Sequence, residues 1–315
     1  KKELVEELPA SETISFYTMT TKDGKEVFTD LCKGPHVENS DEIGPFKLIR
    51  VAGAYWRGDE KREMLTRLYG VAFESEDELD AFLKRQEEAK ARDHRKLGKE
   101  LDLFTFSDLV GAGLPLFTPR GTVLRDVMAN YSLSLRARAG FSRVWTPHIT
   151  KVDLYKASGH YAKFGDELFM VHSQVNGEEF AMKPMNCPHH AQIFASQPRS
   201  YRELPMRLGE TSTLFRNEDS GEMHGLIRVR QFTISEGHLI LRPEQLAEEF
   251  RGCLELAKYC LETLGLWEDC TFRFSQWDPA RTDKYEGTPE QWEEAQSVMG
   301  ELLDKYLGRE NYVIG

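Results

Sequence analysis

The sequence predicts an α+β fold in which helices pack on an antiparallel sheet. Two long strand-like runs, residues 205–216 and 227–241, flank a polar loop and indicate a long hairpin. Helical patterns begin at Pro119, Pro243 and Pro289. Several long strands close together, joined by hairpins, favour an antiparallel sheet with helices packed on it. At 315 residues the chain is long enough for two domains.

The N-terminal region is predicted to consist mainly of strands and loops. Residues 1–7 have a helical pattern, and we take Lys1 to be a cut or processed end. Between residues 13 and 57, short apolar runs alternate with turn signals at Asp23-Gly24, Gly34-Pro35 and Gly44-Pro45.

A charged helix is predicted to follow this region. Ser75 and Glu78 form a capping box that opens a helix extending to about Leu101. The helix is almost wholly charged from Lys84 to Lys96. A helix that is polar on all sides is usually a solvated spacer, so we place a domain boundary here.

The second domain is predicted to begin with strands at Leu103–Phe106 and Leu116–Phe117. The helix after Pro119 ends before Gly140, and its apolar face comprises Val123, Leu124, Val127, Met128, Tyr131 and Leu135. Besides the long hairpin, the predicted strands are Phe141–Thr146, 168–171, 179–183 and Thr271–Trp277, and the later helices are 243–264 and 289–306.

Composition narrows the class of protein without deciding it. The net charge of −11 argues against general binding of nucleic acid but leaves room for a local basic patch. No stretch approaches the ~18 apolar residues of a membrane span, so no membrane partner is expected. The cysteines (Cys32, Cys187, Cys253, Cys260 and Cys270) form no CxxC pair, which favours a reducing cytoplasm over a disulfide framework.

The long hairpin carries the most informative side chains. Neither of the common glycine-rich phosphate loops is present, so a nucleotide would be held in another way. Period-2 geometry places six residues on one face, which Arg216 can join across the hairpin: Arg228, Arg230, Phe232, Ile234, Glu236 and His238. Guanidinium groups and an aromatic plate suit a nucleotide, but a solvated sheet face with surface ion pairs fits the same pattern.

Two cysteines, Cys187 and Cys32, lie close to a proline in the sequence. Cys187, paired with a distant histidine such as His238, has the character of a metal ligand, although a free cysteine is more often a small buried hydrophobe. Cys32 and His36 lie four residues apart around the Gly34-Pro35 turn and could bind metal or polarise water. On these residues alone, an ordinary turn is the preferred interpretation.

Together these segments resemble the bacterial-type threonyl-tRNA synthetase family, in class II of the aminoacyl-tRNA synthetases. The matching segments are KPMNCP (183–188), FRNEDSGEMHGLIRVRQFT (215–233, motif 2), FSRVWTPHI (141–149, motif 1, with Pro147), SGHYAKFGDELF (158–169), RTDKYEGTPEQWEEA (281–295) and TDLCKGPH (29–36). The resemblance implies three regions. Residues 1–74 would be the C-terminal part of a tRNA editing domain, 75–101 a linker helix, and 102–315 a class II catalytic domain that is incomplete at its C-terminus.

The resemblance implies an ATP-dependent ligase that activates threonine and transfers it to tRNA(Thr), with Mg²⁺ accompanying ATP. Arg216 would act catalytically and hold the α-phosphate, and Arg228 would hold the outer phosphates. Glu218 would contact the edge of adenine and Phe232 its face. His160 would assist transfer near the terminal ribose of the tRNA.

The resemblance also implies one Zn²⁺ per chain, with Cys187 and His238 as two of its three protein ligands. The third lies outside residues 1–315, so we expect this piece alone to bind zinc poorly and to be inactive. Threonine has a hydroxyl for the metal and valine has none. Met185 and Glu236 would contact the amino acid. Ile234 and Glu236 depart from the family's Gln-Asp-Asp-Ala-His pattern, which leaves the amino-acid specificity open.

Serine also carries a hydroxyl, so the resemblance implies hydrolysis of mischarged tRNA at a second site that contains Cys32 and His36. Motif 1 implies a homodimer. Two other functions remain open from the sequence: a stand-alone editing hydrolase, and a non-catalytic synthetase-like tRNA-binding protein. The substitution at Ile234 keeps the second of these open.

Overall fold

The computed structural model describes residues 2–9, 13–285 and 287–315, and the chain divides into compact units of residues 1–92 and 93–315. Both units mix helices and strands, which confirms the predicted α+β class. Within the described ranges, no helix is both long enough and apolar enough to cross a membrane.

The first unit contains two antiparallel strand pairs, β1 with β2 and β3 with β4. Its elements are α1 (Lys2–Glu6), β1 (Phe16–Thr20), β2 (Glu26–Leu31), β3 (Phe46–Tyr55), β4 (Met64–Ala72) and α2 (Glu76–Ala91). The strands and turns predicted from the apolar alternation are therefore present. The helix predicted at residues 1–7 is found over α1, and Lys1 lies outside the described residues.

The predicted spacer helix is in fact two helices. The hydroxyl of Ser75 accepts the N–H of Glu78 at 3.3 Å, as the capping box predicts for the start of α2. A second helix, α3 (His94–Glu100), begins after Asp93, whose carboxylate caps it by accepting a backbone N–H at 2.8 Å. An aspartate that caps a new helix competes with continuation of the old one, so a single helix to Leu101 is wrong.

The second unit contains the remaining elements. They are α3, β5 (Phe104–Thr105), β6 (Leu116–Phe117), α4 (Pro119–Arg138), β7 (Ser142–Arg143), β8 (Ile149–Lys151), α5 (Val152–Ala157), α6 (His160–Phe164), β9 (Met170–His172), β10 (Glu179–Met182), α7 (Cys187–Ala195), β11 (Met206–Phe215), β12 (Gln231–Ile240), α8 (Leu246–Thr263), β13 (Phe272–Phe274), α9 (Pro289–Leu307) and β14 (Tyr312–Ile314).

The long antiparallel hairpin of β11 and β12 is the centre of this unit. Its ten paired positions run from Met206 opposite Ile240 to Phe215 opposite Gln231. Strand β7 pairs with β11 in parallel, while β8, β10 and β9 form a separate antiparallel sheet. Apolar clusters lie elsewhere in the unit, one of them around Tyr155 and the other comprising Phe274, Leu303 and Tyr312.

Helix α4 has the predicted ends but not the predicted burial. The hydroxyl of Thr118 caps its first turn, and Gly140, with φ +80°, lies two residues after its last residue. On the predicted apolar face Leu135 is buried, but four residues are 64, 51, 59 and 42% exposed: Val123, Leu124, Val127 and Met128. The face thus covers little of the core of its own unit.

Several predicted strands are shorter than expected. The run predicted at Phe141–Thr146 is a strand only over β7, because its pairing with β11 extends over two positions. The run predicted at Thr271–Trp277 is a strand only over β13, which pairs in parallel with β14. Strands β8 and β14 were not predicted, since three-residue strands carry too little alternation to be recognised.

Candidate active site

One face of β12 carries three of the predicted site residues, Phe232, Glu236 and His238. Along this strand the half-buried Phe232, Ile234, Glu236 and His238 alternate with more exposed neighbours. The period-2 face predicted from the sequence is therefore present from Phe232 onward. Arg228 and Arg230 precede β12, so they belong to the segment that connects the hairpin rather than to the strand face.

Arg216 lies beside Phe232 at the end of the hairpin where the connecting segment joins the two strands. The guanidinium carbon of Arg216 is 5.1 Å from the centroid of the Phe232 ring. Its backbone N–H donates to the carbonyl of Arg230 at 3.0 Å, which holds the two ends of the connection together. The Nε of Arg216 is buried without a hydrogen-bond partner among the described residues. This arrangement leaves a fixed cation with an unused donor next to an aromatic ring.

Arg228 is engaged by carboxylates. Its Nε lies 2.8 Å from Glu218, a residue only 7% exposed, and one of its terminal nitrogens lies 2.8 Å from Glu222. The hydrogen bond to Glu218 raises the pKa of Arg228. The surface ion pairs that the sequence left as an alternative are thus present at Arg228, while Arg216 stands apart from them.

Cys187 lies at the start of α7, while Glu236 and His238 lie on β12. Cys187 opens α7, and the preceding Asn186 accepts a hydrogen bond from Ser212 of β11 at 2.9 Å. Burial raises the pKa of Cys187, and the charge of Glu236 adds to that effect. Burial lowers the pKa of His238, with Glu236 acting in the opposite sense. The negative charge of Glu236 thus acts on the pKa of both side chains.

A buried polar network lies behind this group. The carboxylate of Glu210 accepts the backbone N–H of Thr146 at 2.9 Å and its hydroxyl at 2.8 Å. The ammonium of Lys183 lies 3.5 Å from Glu210 and donates to the Thr146 hydroxyl at 2.7 Å. His190 approaches the same carboxylate at 3.3 Å through Nε2. Every charged group in the network has a partner, as burial demands.

The electrostatics of the network favour a charged Glu210. Burial acts to raise the pKa of Glu210, but hydrogen bonds from Thr146 and the charge of Lys183 outweigh it and hold that pKa below its ordinary value. Burial lowers the pKa of Lys183 against the attraction of Glu210. Burial also lowers the pKa of His189, the residue before His190, to about 4. The imidazole of His189 is therefore neutral at pH 7.

His160 and Met185 lie on neighbouring segments. The Nδ1 of His160 is 2.8 Å from the hydroxyl of Ser158, at the start of α6. The segment that contains α6 continues to Glu167, whose carbonyl accepts the N–H of Asn217 at 2.8 Å, next to Arg216. Met185 is half-buried, two residues before Cys187.

Cys187 and His238 are the residues that the sequence predicts as zinc ligands. A thiol and an imidazole are donors that zinc prefers, and one carboxylate oxygen of Glu236 is buried without a hydrogen-bond partner among the described residues. Over residues 2–9, 13–285 and 287–315, no three side chains of His, Cys, Asp or Glu converge closely enough to hold a metal by themselves.

Cys32 and His36 lie in the first unit, and His36 contacts Tyr17. The backbone N–H of Cys32 donates to Ser15 at 3.2 Å, and the ring of His36 stacks on Tyr17 with centroids 4.0 Å apart. Between them Gly34 has φ +73°, and a Cβ there would lie 2.6 Å from the Tyr17 hydroxyl, so only glycine suits this turn. Tyr17 was not predicted from the sequence.

Lys183, His190 and Glu210 were not among the predicted site residues. One signal was available for Glu210, a carboxylate in the middle of the strand-like run MRLGETSTLF. Such a residue in a buried strand needs partners, and those partners are 20 to 64 positions away in the chain.

Comparison with known proteins places both units in one family. Residues 169–292 match the tRNA synthetase class II core domain (G, H, P, S and T), and residues 14–69 match the threonyl and alanyl tRNA synthetase second additional domain. The chain is similar to the threonine–tRNA ligase of Clostridium botulinum (strain Eklund 17B / Type B), with 52% identity over 305 residues, covering 96% of this chain and 46% of the relative.

The threonine–tRNA ligase of Gloeobacter violaceus is 52% identical over 276 residues, covering 86% of this chain and 44% of the relative. A solved structure described as the RNA binding domain of threonyl-tRNA synthetase from Cryptosporidium parvum Iowa II has a TM-score of 0.63 and 36% identity, covering 71% of this chain and 54% of that one. The chain spans about half the length of the curated relatives it matches. It belongs to the threonyl-tRNA synthetase family of class II aminoacyl-tRNA synthetases.

Proposed function

We propose that the second unit carries the amino-acid activation site of a threonine–tRNA ligase. In activation, the carboxylate of threonine attacks the α-phosphorus of ATP and pyrophosphate leaves; the threonyl group then passes to tRNA(Thr). The observation that carries the proposal is Arg216, whose guanidinium carbon lies 5.1 Å from the centroid of Phe232. A fixed cation beside an aromatic ring suits the α-phosphate and the adenine of one nucleotide.

Arg216 is suited to a catalytic role because its charge is already in place. Negative charge accumulates on the α-phosphate oxygens as the carboxylate attacks, and a preorganised cation stabilises that charge without moving. The buried Nε of Arg216, which has no partner among the described residues, gains one when a phosphate oxygen binds.

Glu218 and Arg228 would complete the ATP site. We assign the buried Glu218 to the edge of adenine and Arg228 to the outer phosphates, which Mg²⁺ accompanies. On binding ATP, Arg228 would give up its ion pair with the half-exposed Glu222 and pair with phosphate oxygens instead. Exposed ion pairs contribute little, so this exchange costs little.

We further propose zinc at Cys187 and His238, with another ligand that the described residues do not include. The support is the chemistry of the two donors, a sulfur and a nitrogen, together with a buried carboxylate oxygen of Glu236 that has no hydrogen-bond partner among the described residues. Zinc, when bound, supplies a Lewis acid that distinguishes a hydroxyl-bearing amino acid from valine. Glu236 would accept a hydrogen bond from the threonine hydroxyl, and Met185 would contact the amino acid.

His160 is assigned to the transfer step. The support is the hydrogen bond from Asn217 to Glu167, which ties the segment of His160 to the nucleotide site. There the imidazole would act on the terminal ribose of tRNA(Thr).

We propose that residues 1–74 belong to an editing domain, 75–101 to a linker and 102–315 to the catalytic domain. Cys32 and His36, the latter stacked on Tyr17, would take part in hydrolysis of seryl-tRNA. The compact units meet between residues 92 and 93, inside the proposed linker.

A homodimer through α4 completes the proposal. Four large apolar residues of this helix are exposed, and a second copy of the chain would cover them.

Threonine-dependent exchange of pyrophosphate into ATP tests the proposal on the full-length product of the gene. We expect exchange that requires threonine and Mg²⁺. A protein that binds tRNA(Thr) but shows no exchange with any amino acid would contradict the activation site and favour a non-catalytic binding protein.

A further inference from the structure

A line of buried hydrogen bonds ends at His238. Glu210 is 2% exposed and lies 3.3 Å from Nε2 of His190, which is 1% exposed. On the other side of the same ring, Nδ1 of His190 lies 2.9 Å from Nδ1 of His238. The two imidazole rings meet nearly at right angles, at 85°. His190 thus connects a buried carboxylate to the proposed metal ligand.

The positions of the hydrogens follow from the chemistry of each group. A charged Glu210 can only accept hydrogen bonds, so Nε2 of His190 carries a hydrogen. With that hydrogen on Nε2, the Nδ1 of His190 is the acceptor. It faces Nδ1 of His238, which must therefore be the N–H of that ring. Nε2 of His238 is left with a lone pair, the form of histidine that binds a metal.

We infer that His190 is a positioning residue that, together with Glu210, sets the tautomer of His238 and presents its Nε2 lone pair to the metal. The inference rests on the zinc site proposed above. Metal-binding histidines commonly donate their second N–H to a neighbouring acceptor, which orients the ring and raises its basicity. Here the acceptor is another histidine, itself oriented by a buried carboxylate.

The geometry argues against His190 as a metal ligand in its own right. Position on the helix alone would allow it, since Cys187 and His190 are three residues apart on α7 and share a face of that helix. Both ring nitrogens of His190 are already engaged, one with Glu210 and one with His238. His190 therefore acts through His238.

The test compares zinc affinities of the full-length gene product, prepared free of metal, by competition with a chromophoric chelator. His190→Phe keeps the ring but removes both nitrogens, and we expect about 10- to 100-fold weaker binding. His190→Gln keeps one donor and one acceptor and ligates zinc poorly, so we expect most of the affinity to return.

His189→Phe is the matched control. His189 is the adjacent residue, 6% exposed, and neither of its ring nitrogens has a hydrogen-bond partner among the described residues. We expect zinc affinity close to that of the wild type. A loss as large as that of His190→Phe would mean that packing at α7, and not the hydrogen bond, sets the affinity, and the inference would be overturned.

The tautomer itself is measured by nitrogen-15 NMR of histidine-labelled, metal-free protein. We expect the hydrogen of His238 on Nδ1 in the wild type and a shift toward Nε2 in His190→Phe. Hydrogen on Nε2 in the wild type overturns the inference even if His190→Phe does not fold. Equal zinc affinity in wild type and His190→Phe also overturns it while the zinc site stands. A wild type without zinc binding overturns the site itself.

Discussion

The two units contain similar hairpins but differ in what lies inside them. Among the described residues of the first unit, Leu79 is the one buried residue, at 5% exposure. Large apolar side chains of β3 and β4 are 67, 64, 65 and 62% exposed: Phe46, Leu48, Val51 and Leu68. The second unit has apolar clusters and a network of buried charges.

The two units therefore show that strand pairing and burial have different requirements. Pairing within a hairpin depends on alternation and turns over a few neighbouring residues, and both units achieve it. Burial requires a second layer of structure, since a two-stranded sheet alone has no interior. A fixed polar network needs that interior, which is why the proposed activation site is in the second unit.

The largest expected effect concerns the choice of amino acid, which we assign to the second unit alone. In the exchange assay we expect valine to give a kcat/KM about ten-thousand-fold below that of threonine, because a site that binds a hydroxyl rejects an analogue without one. Serine should be only about 10- to 200-fold worse, since a methyl group separates it from threonine.

Cys32→Ala, in the first unit, is the control and should leave both ratios unchanged while seryl-tRNA accumulates. Valine activated as well as threonine would contradict the zinc assignment and the threonyl specificity together.

The next largest effect tests whether the buried charges are what distinguish the second unit. Lys183→Met leaves Glu210 charged and buried without its ammonium partner, 3.5 Å away in the wild type. We expect a loss of about 3–5 kcal/mol in the free energy of unfolding, measured with urea. The first unit offers a control in Arg57→Met, which breaks an exposed pair with Glu7 and should leave the urea midpoint unchanged.

A similar comparison applies to catalysis. Each unit has an arginine over an aromatic ring: Arg216 over Phe232, and Arg50 with its guanidinium carbon 4.3 Å from the centroid of Tyr69. We expect Arg216→Ala to slow adenylate formation by about a hundredfold or more, the cost of losing a charge-stabilising donor. Arg50→Ala should leave the exchange rate unchanged. A near-normal exchange rate in Arg216→Ala would contradict the assignment of the hairpin to the ATP site.

The smallest effect tests the exposed sheet of the first unit. Because Leu68 is 62% exposed, Leu68→Ser should change the free energy of unfolding of this chain by less than about 0.5 kcal/mol. Leu303→Ala, at a buried position of the second unit, should cost about 2–5 kcal/mol. A loss at Leu68 as large as that at Leu303 would show that the sheet is covered in solution.

The proposed site was partly predictable. Alternation from Phe232 to His238 was read correctly, because a strand places every second side chain on one face. The prediction that the same alternation includes Arg228 and Arg230 was wrong. Pairing with β11 extends only to Gln231, so the two arginines precede the strand. The exposure of α4 was not predictable either, because an apolar helix face has the same sequence pattern whether it packs on a core or lies at the surface.

The sequence by itself determined the α+β class, the capped start of α2, the ends of α4, the alternation of β12 and the resemblance to a family. Each depends on residues that are close in the chain or on short motifs. Only the tertiary structure decided that Thr146, Lys183, His190 and Glu210 share one buried network. Hydrogen bonds between residues 20 to 64 positions apart exist only after β11, α7 and the segment after β7 have packed, and no local pattern specifies that packing.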